Sequence, residues 1–137
     1  MNKHILSKEV QEFITSFSED ISKLAYTGSP FADVSTQELI QQIESRRKTE
    51  KKLPSWYCTK NIFFPPKLNL EQTSSEITAK YKASIVQGTS LADITGGFGV
   101  DSFFFSEIFK EVHHFEHNKS LSDISMILHT KEEIYSF

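Results

Sequence analysis

The residues best equipped for chemistry lie close together: Asp93, the turn Thr95-Gly96-Gly97-Phe98-Gly99, Asp101 and, one element later, Glu116. Short apolar runs flank the turn, Leu91-Ala92 before it and Phe103-Phe104-Phe105 after it. Glycines at crowded turn positions leave room for a ligand to press against main chain, where any Cβ would intrude. The N–H groups of such a turn, with those opening the next helix, offer donors and partial positive charge. A carboxylate at Glu116 suits both hydroxyls of a ribose. The chemistry these groups serve is the binding of a nucleotide-like cofactor.

Holding them in place takes a strand at 90–94, a helix at 101–109, a second strand at 111–116 and a last helix from 119 to about His129. Ligands of an open α/β sheet bind beyond the carboxyl ends of its strands, so Asp93 and Glu116, each closing a strand, face one crevice with the turn between them. Phe103, Phe104 and Phe105 belong to the buried side of the crossover helix.

Everything upstream reads as helical. Over 5–25 the apolar residues Leu6, Val10, Phe13, Ile14, Phe17, Ile21 and Leu24 follow the spacing of one amphipathic helix, ended by Gly28 and Pro30. A second helix starts at Thr36, with Ser35 and Glu38 as a capping box and Val34 with Leu39 as a staple. It runs into the basic stretch Arg46-Arg47-Lys48-Thr49-Glu50-Lys51-Lys52, which suits a solvated helix C-terminus and, as a second use, an RNA backbone. Pro54, Pro65 and Pro66 predict an extended linker pinned to a core by Trp56, Phe63 and Phe64. A third helix is expected over 71–86, capped by Thr73 with Glu76 and stopped by Gly88, with Ile77, Tyr81 and Ile85 along one face.

Composition narrows the partners. The chain has 137 residues, 38% hydrophobic and 24% charged, as in soluble globular proteins, and a net charge of -3 supplies no global field for nucleic acid. The single cysteine, Cys58, rules out an intrachain disulfide and suits a reducing compartment. With no signal-like N-terminus and no apolar run near the ~20 residues that cross a bilayer, a cytoplasmic protein is expected.

Asp93-Ile-Thr-Gly-Gly-Phe-Gly99 resembles the first motif of class I S-adenosylmethionine-dependent methyltransferases, with Thr95 in place of the usual first glycine. Threonine there, with Val100-Asp101-Ser102 after the last glycine, is similar to a subset acting on RNA. Upstream, Leu53-Pro-Ser-Trp-Tyr57, Phe64-Pro-Pro66 and the stretch 71–83 look like the region preceding this motif in a bacterial group of THUMP-like-domain methyltransferases. The resemblance covers residues 1 to 125 and implies that Thr95, Gly96, Gly97 and Gly99 shape the turn around the methionine part of S-adenosyl-L-methionine. It further implies that Asp93 meets the cofactor's amino group directly or through water, that Glu116 holds the ribose, and that Asp101 caps the helix or orients the turn. His117 and Asn118 would border an adenine.

The organisation expected is α/β: a helical segment over 1–52, an aromatic linker and pre-motif helix over 53–88, and a partial Rossmann-like S-adenosylmethionine-binding unit over 89–137. The tail 123–137 carries no signal for a third strand with an acceptor motif, so the fold reads β-α-β-α, a truncated first half, and no catalytic residue is assignable. Open sheet edges then predict self-association. RNA, as tRNA or rRNA, would be met through the missing half and through Arg46–Lys52. Two other readings stay open: a dinucleotide-binding fragment, since Gly97-Phe-Gly-Val-Asp-Ser102 reads GxGxxS, and a non-catalytic helical interaction module. A metal site at His113, His114 and His117 is disfavoured because strand alternation sets His113 and His117 opposite His114 and Glu116. Phe63-Phe64-Pro65-Pro66 is not an amino-group-holding loop, because Phe64 cannot accept the hydrogen bond that Asn or Asp would.

Overall fold

The computed structural model of the chain describes residues 2–128 and 134–136, and these fall into two compact units, Met1–Leu70 and Glu71–Phe137. The first is helical. A 3-10 turn at Lys3–Leu6 leads to α1 (Lys8–Ser16), α2 (Ile21–Thr27), α3 (Thr36–Lys52), α4 (Pro54–Cys58) and α5 (Lys67–Gln72).

The single helix expected over 5–25 is divided. The chain leaves helical geometry at Phe17 and re-enters after Asp20, whose Oδ1 accepts the Ser22 N–H at 2.7 Å. An apolar spacing does not register a cap placed within it, and Ser18-Glu19-Asp20 supplies one. The carbonyls released by the break are captured from α3, where Arg47 Nη2 donates to Phe17 O at 3.3 Å and Glu19 O at 2.8 Å. Gly28 ends α2 with φ +82, as a left-handed exit requires.

Helix α3 begins as its sequence dictates: the Glu38 N–H donates to Ser35 Oγ at 3.2 Å and the Ser35 N–H donates to Glu38 Oε2 at 2.8 Å. Val34 and Leu39 are both buried. In the linker, Pro54 opens the short α4 instead of extending the chain, because the first position of a helix needs no N–H and favours the fixed φ of proline. Trp56, Phe63 and Phe64 are buried as expected. The extended stretch after α4 is held by Gln42, which is fully buried: its Nε2 donates to Phe64 O at 2.7 Å and its Oε1 accepts the Phe64 N–H at 2.9 Å.

In the second unit, α6 (Glu76–Ile85) is shorter than the helix expected over 71–86 and is capped by Ser75, whose Oγ accepts the Thr78 N–H at 3.2 Å, and not by Thr73. Three hydroxyl residues in a row offered the cap, and use of Ser75 frees Ser74 for another partner. Its buried side is Glu76, Ala79 and Ala83; Ile77, Tyr81 and Ile85 do share a face, and that face is exposed. Then come β1 (Ser90–Asp93), α7 (Val100–Phe105), β2 (Glu111–His114), α8 (Lys119–Leu128) and β3 (Ile134–Ser136). The sheet is parallel in the order β1-β2-β3, with Asp93 opposite His114 and Val112 opposite Ile134. The third strand corrects the β-α-β-α expectation to β-α-β-α-β. Three residues are too few for a period-two pattern, so this strand is specified by its neighbour and not by its own spacing. The expected end of the last helix at His129 lies outside the described residues.

Candidate functional site

Each site residue predicted from sequence lies in the second unit, and the strands bring them to one end of the sheet. Asp93 closes β1 in register with His114, which closes β2. The turn between β1 and α7 is laced to the exit of β2: the Phe115 N–H donates to Asp93 O at 2.8 Å, and the Gly96 N–H donates to Phe115 O at 3.1 Å. A further bond, Gly99 N–H to Gly96 O at 2.8 Å, closes the turn on itself.

The glycines are required for different reasons. Gly97 (φ +55) and Gly99 (φ +87) hold left-handed geometry that a side chain disfavours. A Cβ on Gly97 would meet nothing within 4 Å, so this side of the turn faces open space from which a ligand can reach main chain. Gly96 has ordinary backbone geometry, yet a Cβ there would lie 2.0 Å from Cε1 of His114. It is glycine because an imidazole occupies its side-chain space.

That imidazole is the centre of a buried chain. His114 and Ser102 are fully buried. Ser102 Oγ donates to Asp93 Oδ2 at 2.7 Å and lies 2.9 Å from His114 Nδ1. With the hydroxyl hydrogen on the carboxylate, Nδ1–H of a neutral imidazole donates to Oγ, and the chain runs His114 to Ser102 to Asp93. Burial holds the His114 pKa below its ordinary value, opposed by Asp93, a bond to the Gly97 backbone and Glu116. Asp93 Oδ1 accepts the Thr95 N–H at 3.2 Å and so sets the start of the turn. Neither Ser102 nor His114 was selected from sequence as a site residue. The available signal was positional: two adjoining small residues at 96 and 97, and a histidine two positions before Glu116.

Asp101 does not point its bonded oxygen at the turn. Oδ2 accepts from Ser74 Oγ at 3.0 Å and from Lys82 Nζ at 2.8 Å, which ties α7 to α6 and the loop before it. Glu116 is half-buried beyond the end of β2, and its Oε1 accepts the Asn118 N–H at 2.6 Å. Thr95 is exposed at the rim. Because β2 stops at His114, alternation separates His113 from His114 but does not extend to Glu116 and the exposed His117. Among the described residues no group of three His, Cys, Asp or Glu side chains is arranged to hold a metal ion, and no helix is long and apolar enough to cross a membrane.

The basic stretch of the first unit is partly structural. Arg47 serves the α1–α2 break, Lys52 Nζ donates to Leu70 O at 2.7 Å, and the Arg46 guanidinium lies 4.0 Å from the Tyr57 ring centroid. Arg46 and Tyr57 also line a groove of about 800 Å³ together with Lys8, Gln11, Lys60 and Asn61.

No protein-family model and no curated protein matches the chain. Among solved structures it is similar to a Porphyromonas gingivalis W83 protein named as an inferred methyltransferase, with a TM-score of 0.74 at 23% identity. The similarity covers 96% of this chain and 35% of that one. The chain shares that fold over nearly all its residues and spans about a third of that protein's length.

Proposed function

We propose that the second unit is the cofactor half of a class I S-adenosylmethionine-dependent methyltransferase of the THUMP-like-domain group, acting on RNA bases, with the residues that hold the methyl acceptor outside this chain. The observation that carries this is the turn itself: a glycine loop with one open side, bonded to the ends of two parallel strands and flanked by Asp93 and Glu116. Likeness to a protein named for methyltransferase activity supports the reading, and its limited span of that protein supports the missing acceptor half.

The residues present fit such a cofactor. Gly97 leaves the turn open to it, and Gly96 and Gly99 hold the loop in shape. Glu116 keeps one carboxylate oxygen beyond its bond to Asn118 for the ribose hydroxyls. Asp93, with one bond on each oxygen, retains lone pairs toward the amino group and fixes Thr95 beside it. Asp101 orients α7 through the bonds of its Oδ2 to Ser74 and Lys82. The cofactor supplies an electrophilic methyl group on a sulfonium; the protein's part is alignment in a site closed to water. RNA would meet the groove at Lys8, Arg46, Tyr57 and Lys60, where cations and an aromatic ring adjoin. The exposed face of Ile77, Tyr81 and Ile85, at 81%, 64% and 62%, supports association with a second copy.

The test incubates the purified full chain with methyl-labelled S-adenosylmethionine and total RNA. Label retained by the protein and none transferred to RNA is the expected result. Transfer would overturn the placement of the acceptor residues outside the chain, and absence of retention would overturn the cofactor.

A further inference from the structure

We infer that His114 and Ser102 are positioning residues for the cofactor turn: the imidazole is the floor on which Gly96 rests, and the hydroxyl locks it to Asp93. The inference rests on the cofactor reading above and deepens it, since it names what holds the open side of the turn in its binding shape.

Three observations converge. The absence of a side chain at 96 is explained by the imidazole alone, because the backbone there is one any residue adopts and the nearest atoms to an added Cβ are Cε1, Nδ1 and Nε2 of His114 at 2.0, 2.2 and 2.7 Å. The ring cannot retreat, being fully buried in β2 and bonded through Nδ1 to a hydroxyl that is itself fully buried. The same hydroxyl bonds Asp93, whose other oxygen starts the turn at the Thr95 N–H. One continuous path therefore runs from Gly96 through His114 and Ser102 to Asp93 and back to Thr95. It closes a ring of contacts with the loop, whereas a Cβ on Gly97 would meet nothing within 4 Å.

Such a path makes shape complementarity between residues 96 and 114 testable by exchange of volume. Gly96→Ala in the full chain forces the methyl into the ring and weakens S-adenosylhomocysteine binding by about tenfold or more, because an overpacked site must deform. His114→Ala removes the obstacle, so the double variant Gly96→Ala/His114→Ala binds within about threefold of His114→Ala alone. Ser102→Ala weakens binding, because Asp93 Oδ2 and His114 Nδ1 both lose the hydroxyl that joins them. Equal losses from Gly96→Ala in both backgrounds would overturn the inference.

Amide hydrogen exchange at Gly96 and Gly99, whose N–H groups bond Phe115 O and Gly96 O, reads the turn without any ligand. Faster exchange in Ser102→Ala and His114→Ala than in the wild type supports the positioning role, even if the wild-type chain binds no S-adenosylhomocysteine and the cofactor reading alone falls. Unchanged exchange in both variants removes the positioning role, whatever binds.

Discussion

Replacing Gln42 by leucine tests how the first unit is held, and its cost can be worked from the contacts. The side chain is fully buried and makes two bonds to one residue, Phe64, which is itself 2% exposed. Leucine keeps the volume and removes both bonds. The Phe64 N–H then has no acceptor, a loss of about 1–3 kcal/mol for a buried donor. Phe64 O keeps a second donor, Gln41 Nε2 at 3.3 Å, so its loss is nearer one net hydrogen bond, about 1 kcal/mol. The sum is about 2–4 kcal/mol, enough to lower the melting midpoint of a domain this size by about 10 °C or more. The assay is intrinsic fluorescence: the chain's single tryptophan, Trp56, is 4% exposed within this unit, so its transition reports this unit. Gln41→Ala, which leaves the 2.7 Å bond from Gln42 in place, should cost no more than about 1 kcal/mol. A Gln42→Leu midpoint equal to wild type, or a Gln41→Ala loss as large, would refute the accounting.

Other consequences are as direct. Ser35→Ala removes the accepting half of the α3 capping box and should destabilise the Trp56 transition by about 1 kcal/mol, with Thr at 35 restoring most of it. Because burial holds the His114 pKa below 6.5, the folded state favours neutral imidazole. Its stabilisation is complete above that pH and is lost as pH falls through the folded value, at up to about 1.4 kcal/mol per pH unit; urea titrations followed by circular dichroism should show the slope, and His114→Ala should flatten it. Ile77→Ser with Tyr81→Ser removes two members of the exposed α6 face; sedimentation velocity should move toward the monomer without loss of helix, and an unchanged profile would dismiss that face as a contact.

What was legible in the sequence follows from which interactions are local. The Ser35–Glu38 box and the stop at Gly28 are written within a few residues and stand where spacing placed them, and the strand-turn-helix around Gly97 and Gly99 is present with its helix at Val100–Phe105, shorter than the 101–109 expected. The helix break before Asp20 was hidden because its compensating donor, Arg47, comes from a distant helix. Ser75, not Thr73, caps α6, and the neighbouring Ser74 has a remote partner in Asp101 that no local spacing shows. The short β3 has no pattern of its own and exists through pairing with β2. At the site, the acids and glycines were visible as residue types. The Asp93–Ser102–His114 chain was not, since it joins three elements whose register only the folded sheet supplies.

The role proposed for the turn and Glu116 is to cradle S-adenosylmethionine and its product. Calorimetric titration of the full chain with S-adenosylhomocysteine, with NADH as the comparison ligand, addresses it most directly. Saturable S-adenosylhomocysteine binding is expected, weakened about tenfold or more by Glu116→Ala through loss of charge-assisted hydrogen bonds, with no comparable NADH binding. Tighter binding of NADH, or S-adenosylhomocysteine binding indifferent to Glu116→Ala, would contradict it.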